Sequence, residues 1–296
     1  STVEGGYAGS QANISDAFRI ESVKSLARSH TGSGPLSPDN YQISILNSSF
    51  GQEFLLQGNF LSQDEVPMFT GMKSKIVRFK DRGDQIIMEQ ILSDFQINSD
   101  IPATRIIAAF PVISRNDSKV TFNWNKGFAG LFVSADWFAS DFESYNGASE
   151  TSVDVTQGYI DEANFIEPNT LAIRHILQTK SEFLWWNLRD TVEVRWYLRP
   201  YGTNEGFEPT ESKGFDRVGF FEISPIRKEK VLKTFATKFD SRNPIVFAMS
   251  ANTPADYKDA VRDGILYWNK AFGTEVVQVV DAPEGVTAPD ARFNVV

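Results

Sequence analysis

From Tyr41 onward, apolar and polar positions alternate in short runs broken by turn residues. "YQISIL" and "EFLLQGNF" are of this type, separated by "NSSFGQ". In "SKIVRFKDRGDQIIMEQ", residues 74–90, two apolar runs flank Asp81-Arg82-Gly83-Asp84. That pattern predicts a hairpin in which glycine supplies the positive φ. "ATRIIAAFPVI" and "KVTFNW" make a second pair around "SRND", and "TLAIRHIL", "TVEVRWYL", "DRVGFFEI" and "VLKTFATKF" continue the series. Strands at this spacing, without a long helical pattern between them, predict an antiparallel sheet or sandwich over 40–240.

The period changes near the C-terminus. "NPIVFAMS" reads as a buried strand and "EVVQVV" as another. Between them Tyr257, Ala260, Val261, Gly264, Ile265, Trp268, Ala271 and Phe272 recur at helical spacing. Thr253 is the expected N-cap, Pro254 the first helical residue and Gly273 the stop. Residues 244–280 are therefore expected to form a β-α-β unit with a right-handed crossover. The whole chain reads as α+β in three parts: an N-terminal arm or linker over 1–39, a β-rich domain over 40–240, and a partial α/β segment over 241–296.

Composition narrows the picture. The chain has 296 residues, 24 of them Phe, and 13% aromatic content, which suits strands around a sizeable core. It lacks cysteine, so disulfides and thiolate metal sites are excluded. A net charge of −9 argues against nucleic acid and anionic membranes as partners. The basic stretch 227–242 reads as a strand with a solvated edge. The stretch 127–173 has eight acids (Asp136, Asp141, Glu143, Glu150, Asp154, Asp161, Glu162 and Glu167) and no Lys or Arg. A solvated acidic loop is the favoured reading there, with bound Ca²⁺ as the alternative. No apolar run is long enough for a transmembrane helix. A chain starting at Ser1 fits a trimmed N-terminus.

The two histidines, His30 and His175, are far apart in sequence, and His175 sits in a strand-like run. A zinc site needs about three convergent ligands, so a lone sheet histidine is the better account of His175. G-x-S-x-G, Walker and dinucleotide fingerprints are missing. No catalytic, cofactor-binding or metal-ligating residue is assigned. Trp124, Trp137, Trp185 and Trp186 are read first as core, with an exposed Trp185 or Trp186 as the hint of a binding face.

Several blocks together are similar to a bacterial family of zincin-type zinc metallopeptidases with a long β-rich N-terminal region. The C-terminal blocks are Pro244-Ile245, Trp268-Asn269-Lys270-Ala271-Phe272 and Asp290-Ala291-Arg292-Phe293-Asn294-Val295, the last with Phe where the family has Tyr. Upstream, "YQISILNSSFGQEFLL", "KIVRFKDRGDQIIMEQ", "IIAAFPVI", "YIDEANFIEPNTLAIR" and "DRVGFF" follow in family order. The resemblance implies that 241–296 begins a zincin domain and that zinc binds only in a longer parent protein. There an H-E-x-x-H helix and a further His would hold it. This chain lacks that motif, so whether it belongs to an enzyme is left open. It also implies a bacterial secreted or periplasmic setting, with the rest of the peptidase domain and a peptide or protein substrate as partners. On this reading the end at Val296 is a cloned boundary or a proteolytic cut. The expected role is a non-catalytic folding, inhibitory or substrate-presenting module. The alternatives are an envelope binding protein using an aromatic sheet face for peptide or glycan, and a purely structural envelope protein.

Overall fold

The computed structural model describes residues 13–22, 41–62, 69–91, 104–133, 151–183, 186–202, 206–212, 226–228, 231–236, 238–287, 290 and 292–296. A short helix α1 (Ile14–Ala17) leads into β1 (Phe18–Ser22), inside the stretch read as an arm. Then come β2 (Tyr41–Leu46), β3 (Glu53–Ser62), β4 (Phe69–Asp81), β5 (Gln85–Ile91) and β6 (Thr104–Arg115). The series continues through β7 (Lys119–Phe122), β8 (Gly130–Val133), β9 (Thr151–Ile166), β10 (Thr170–Phe183) and β11 (Trp186–Pro200). These eleven strands form one antiparallel sheet in the order β1-β2-β7-β6-β5-β4-β3-β11-β10-β9-β8.

Side-chain alternation gives the sheet two chemically different faces. Along β11, Val192, Val194, Trp196 and Leu198 join the core, while Glu193, Arg195, Tyr197 and Arg199 point the other way. The sheet curls until β8 lies against β4 and β2 against β9, and α1 packs on β2, β10 and β11. The concave side thus closes on itself. A continuous chain of rings fills it: Phe18 meets Phe54 at 5.3 Å, Phe110 stacks on Trp124 at 4.9 Å, and Phe128 stacks on Trp196 at 4.7 Å. Burying each such ring contributes about 1.5–3 kcal/mol, which is why so Phe-rich a chain can hold a large curled sheet closed.

Turn chemistry sets the registers. In the β4–β5 hairpin Gly83 has φ +88, and its N–H donates to Asp81 Oδ1 at 2.9 Å. Arg115, at the end of β6, donates to both Asp81 carboxylate oxygens at 3.0 and 3.2 Å and so ties the hairpin to the next strand. Between β6 and β7 the Asn116 carboxamide oxygen accepts from the N–H groups of Ser118 and Lys119, both at 2.9 Å. The β9–β10 pair is less regular, with register shifts at Arg174/His175 and Gln178/Thr179. β8 pairs with β9 only along Thr151–Asp154.

Beyond the large sheet, β12 (Glu211–Ser212), β13 (Ile226–Lys228) and β14 (Val231–Phe235) form a small antiparallel sheet. The C-terminal segment comprises β15 (Ile245–Met249), α2 (Ala255–Leu266), α3 (Trp268–Phe272), β16 (Val277–Asp281) and β17 (Asn294–Val295). β15 pairs in parallel with both β16 and β17.

The α+β expectation does not hold. The protein is mainly β, dominated by one curled antiparallel sheet, and its C-terminal segment is not a zincin-like β-α-β unit. The helical stretch is short and breaks at Tyr267, and neither α2 nor α3 has a buried residue. α2 packs on β15 and β16, and of the apolar stripe only Val261 and Ile265 are half-buried. Helical spacing identified the stripe correctly but not the direction in which most of it points. The cap differs too: Pro254 occupies the N-cap and makes no side-chain capping bond, one residue later than Thr253. Gly273 ends the helix in the left-handed conformation at φ +68, as expected.

Candidate functional site

Three places on the molecule bear on function: the polar centre of the core, a charged cleft on the convex face, and the helix surface.

The first is built on His175. β10 carries it inward, where it is fully buried. Its Nε2–H donates to Asn125 Oδ1 at 2.8 Å, and its Nδ1 accepts from Trp196 Nε1 at 3.3 Å. Asn125 lies in a 3₁₀ turn, Asn125–Gly127, and its own Nδ2 donates to the Gly158 carbonyl at 2.6 Å. This chain of bonds fixes the tautomer. Burial disfavours the imidazolium and pushes the pKa down to about 3. A neutral imidazole with both nitrogens engaged is neither a general base nor a metal ligand. The histidine is a structural keystone, in keeping with the reading of a lone sheet histidine.

The second place lies between the convex face of β9–β11 and the C-terminal loop, around a cleft of about 460 Å3. Glu193 accepts from Arg195 at 2.6 Å and from Arg174 at 3.0 Å, and Arg174 also reaches Asp161 at 2.8 Å. Burial alone would raise Glu193, but the two guanidiniums outweigh it and hold the carboxyl below its usual range. Across the cleft Arg292 donates to Asp290 at 2.8 Å. Tyr197 sits between these networks, and burial, reinforced by the Asp290 charge, pushes its phenol up to about 12. The ion pairs lie within the sheet (Glu193 with Arg174 and Arg195, Asp161 with Arg174) and within the loop (Asp290 with Arg292). The attraction of Arg195 for Asp290 acts across the cleft, so the ladder reads as structural.

Where it is described, the acidic stretch is not a loop: Asp154, Asp161 and Glu162 lie on β9. Of the eight acids in 127–173, Asp136, Asp141, Glu143 and Glu150 lie outside the described residues. Asp161 is paired with Arg174, and Glu162 accepts from Asn164 at 3.2 Å. Among the described residues no three His, Asp or Glu side chains converge as a metal site would require. In the basic stretch Lys233 pairs with Glu211 at 3.0 Å and Lys238 donates to Thr210 at 2.9 Å. His30, Trp137 and Trp185 lie outside the described residues, as does the side chain of Trp186. Trp124 and Trp196 are core residues.

The third place is the helix. Lys258 reaches Asp281 of β16 at 3.0 Å. Asn269 latches α3 to the same strand, donating to the Val277 carbonyl at 2.9 Å and accepting from the N–H of Val277 at 2.7 Å. These contacts turn the opposite side outward. Tyr257, Tyr267, Trp268 and Phe272 are 64, 65, 61 and 51% exposed, with the exposed Ala260, Gly264 and Ala271 between them. Isolated apolar residues on a surface are ordinary, but Tyr257 on α2, Tyr267 at the break and Trp268 and Phe272 on α3 bring four exposed large aromatics into one short segment, a concentration of the kind that marks an interaction site. Helical spacing in the sequence marks Tyr257, Trp268 and Phe272 as members of one stripe, without Tyr267, and does not say which way the stripe faces. The outward turn depends on the Lys258 and Asn269 tethers, which no periodicity reveals.

No protein-family model, curated protein or solved structure matches the chain.

Proposed function

We propose that this chain is a non-catalytic module of a secreted or periplasmic zinc-dependent metallopeptidase. It acts in folding, inhibition or substrate presentation by docking the catalytic part on the α2–α3 face. The observation that carries this reading is the outward Tyr257, Tyr267, Trp268 and Phe272 patch. Aromatic anchors on one rigid face are the composition of a protein interface. The family comes from the ordered sequence blocks, among them Trp268-Asn269-Lys270-Ala271-Phe272, which contributes two members of the patch. Among the described residues the donor set does not fit zinc, since His175 has both ring nitrogens engaged and no metal-ligating group converges. The chain's contribution on this reading is a surface and a scaffold.

The test starts with the coding sequence after Val296. A frame that continues into His-Glu-x-x-His with a third His supports the proposal, and a stop codon directly after Val296 overturns it. In the longer protein, chelator should abolish peptide hydrolysis. The double substitution Tyr257→Asp and Trp268→Asp should lower it about tenfold or more, as loss of interface anchors does. Hydrolysis that ignores both treatments would refute the docking role.

A further inference from the structure

The outward side of α2–α3 is one surface. Tyr267, at the break, keeps helical angles of φ −58 and ψ −27, and its N–H donates to the Asp263 carbonyl at 3.0 Å. The helical course therefore carries through into α3. At about 100° per residue, Lys258, Val261, Arg262, Ile265, Leu266 and Asn269 share one side, and all are half-buried. The side away from them holds two adjacent lanes of exposed residues. Tyr257, Gly264 and Trp268 make an aromatic lane and Asp256 and Asp263 an acidic one, with Ala260 and Ala271 between.

Charge and shape on this surface point to its partner. Each basic side chain of the helical stretch is engaged: Lys258 with Asp281 at 3.0 Å, Arg262 with Asp259 at 3.0 Å, and Lys270 over the Tyr267 ring at 4.9 Å. Asp256 and Asp263 have no ion pair among the described residues, so the uncompensated charge of the face is negative. The two stand two turns apart, about 10 Å along the helix. Gly264 adds a steric clue. Glycine inside a helix costs about 1 kcal/mol relative to alanine, and a Cβ here would meet nothing within 4 Å. The described fold gives no reason for a glycine, whereas the close approach of another helix would.

We infer that the α2–α3 face docks a cationic amphipathic helix. The apolar stripe of that helix lies along Tyr257, Gly264 and Trp268, and its Lys or Arg side chains, two turns apart, reach Asp256 and Asp263. A second copy of this chain is the disfavoured occupant, because it would bring the same two acids and a further net charge of −9. This partner chemistry rests on the docking role proposed above for the face, but holds whether or not the partner is a peptidase.

The experiment is calorimetry on the full chain with a Leu/Lys amphipathic helical peptide, its Leu/Glu counterpart and a scrambled Leu/Lys peptide, with sedimentation of the chain alone. The Leu/Lys helix is expected to bind about tenfold or more tightly than either control. Gly264→Leu should weaken that binding about tenfold by blocking the approach. It should still melt at or above the parent temperature, because a Cβ there meets nothing and leucine favours helix. Asp256→Asn combined with Asp263→Asn should weaken binding about fivefold. That pair removes only 2 of 38 acids, so such a loss assigns the attraction to this face and not to overall charge. The inference is overturned if the Leu/Lys helix binds no better than its controls, if either variant binds as the parent does, or if the chain alone forms dimers that Gly264→Leu disrupts. A stop codon directly after Val296 would end the peptidase reading and leave peptide binding standing. A continuing frame beside a Leu/Lys helix that does not bind would end only the partner chemistry.

Discussion

His175 shows how one residue can couple core structure to pH. In the folded protein it stays neutral down to about pH 3, whereas an unfolded chain protonates it near 6.5. The unfolded state thus binds more protons between those values, and stability rises with pH across that window. The contribution is fully present above about pH 6.5 and is lost as pH falls toward 3. Urea melts should therefore show stability declining by up to about 1.4 kcal/mol per pH unit below pH 6, before the carboxylates held by Arg174, Arg195 and Arg292 begin to titrate. Replacing His175 by Gln should flatten that slope. A slope unchanged by the substitution would assign it to other groups. The same substitution should cost about 1–3 kcal/mol at pH 7.5, because Trp196 Nε1 or Asn125 is left without its buried partner. Sequence established that no second histidine lies near this one. It could not supply Asn125, which is fifty residues away, because only the curl of the sheet brings the 3₁₀ turn to β10.

Two elements carry contrasting expectations. In β9, a Cβ added at Gly158 would stand 2.5 Å from the Ile176 carbonyl oxygen, a backbone atom that cannot swing aside. Gly158→Ala should destabilise by about 1–3 kcal/mol in thermal or urea melts, as overpacking does; a neutral result would mean that the two strands can part there. In α2–α3 the expectation is reversed. Tyr257→Ser and Trp268→Ser remove side chains that are more than half exposed, so each should shift stability by less than about 0.5 kcal/mol. A large loss in the melt would show that these rings are packed. Strand and hairpin identities were legible because period two and the Asp81–Asp84 turn are local signals. The direction of the helix stripe was not, because it depends on which neighbours are present to cover it.

At the scale of the molecule, sheet order was the least legible feature. Neighbours such as β3 and β11, or β2 and β7, are far apart in sequence, and nothing in either member's pattern names its partner. The same long connections govern kinetics. Closing such pairs costs loop entropy before any core forms, so refolding should take milliseconds to seconds or longer. Stopped-flow fluorescence of the buried Trp124 and Trp196 would follow it, and a microsecond phase that recovers the full signal would contradict the topology.

The short reach of β8 has a consequence for how the protein keeps to itself. Val155 and Gly158 on the outer side of β9 are bonded to Ala129 and Asn125. Past Gly158 no other described strand pairs with that side, so residues 159–166 are a border where a second molecule could add a strand and begin a fibril. The register shift at Arg174/His175 bends that border, and Asp161 and Glu162 put charge beside it. Together they make it a poor template for growth. Straightening and neutralising it with Asp161→Val and Glu162→Val should turn a well-behaved solution into one that seeds thioflavin-positive aggregates.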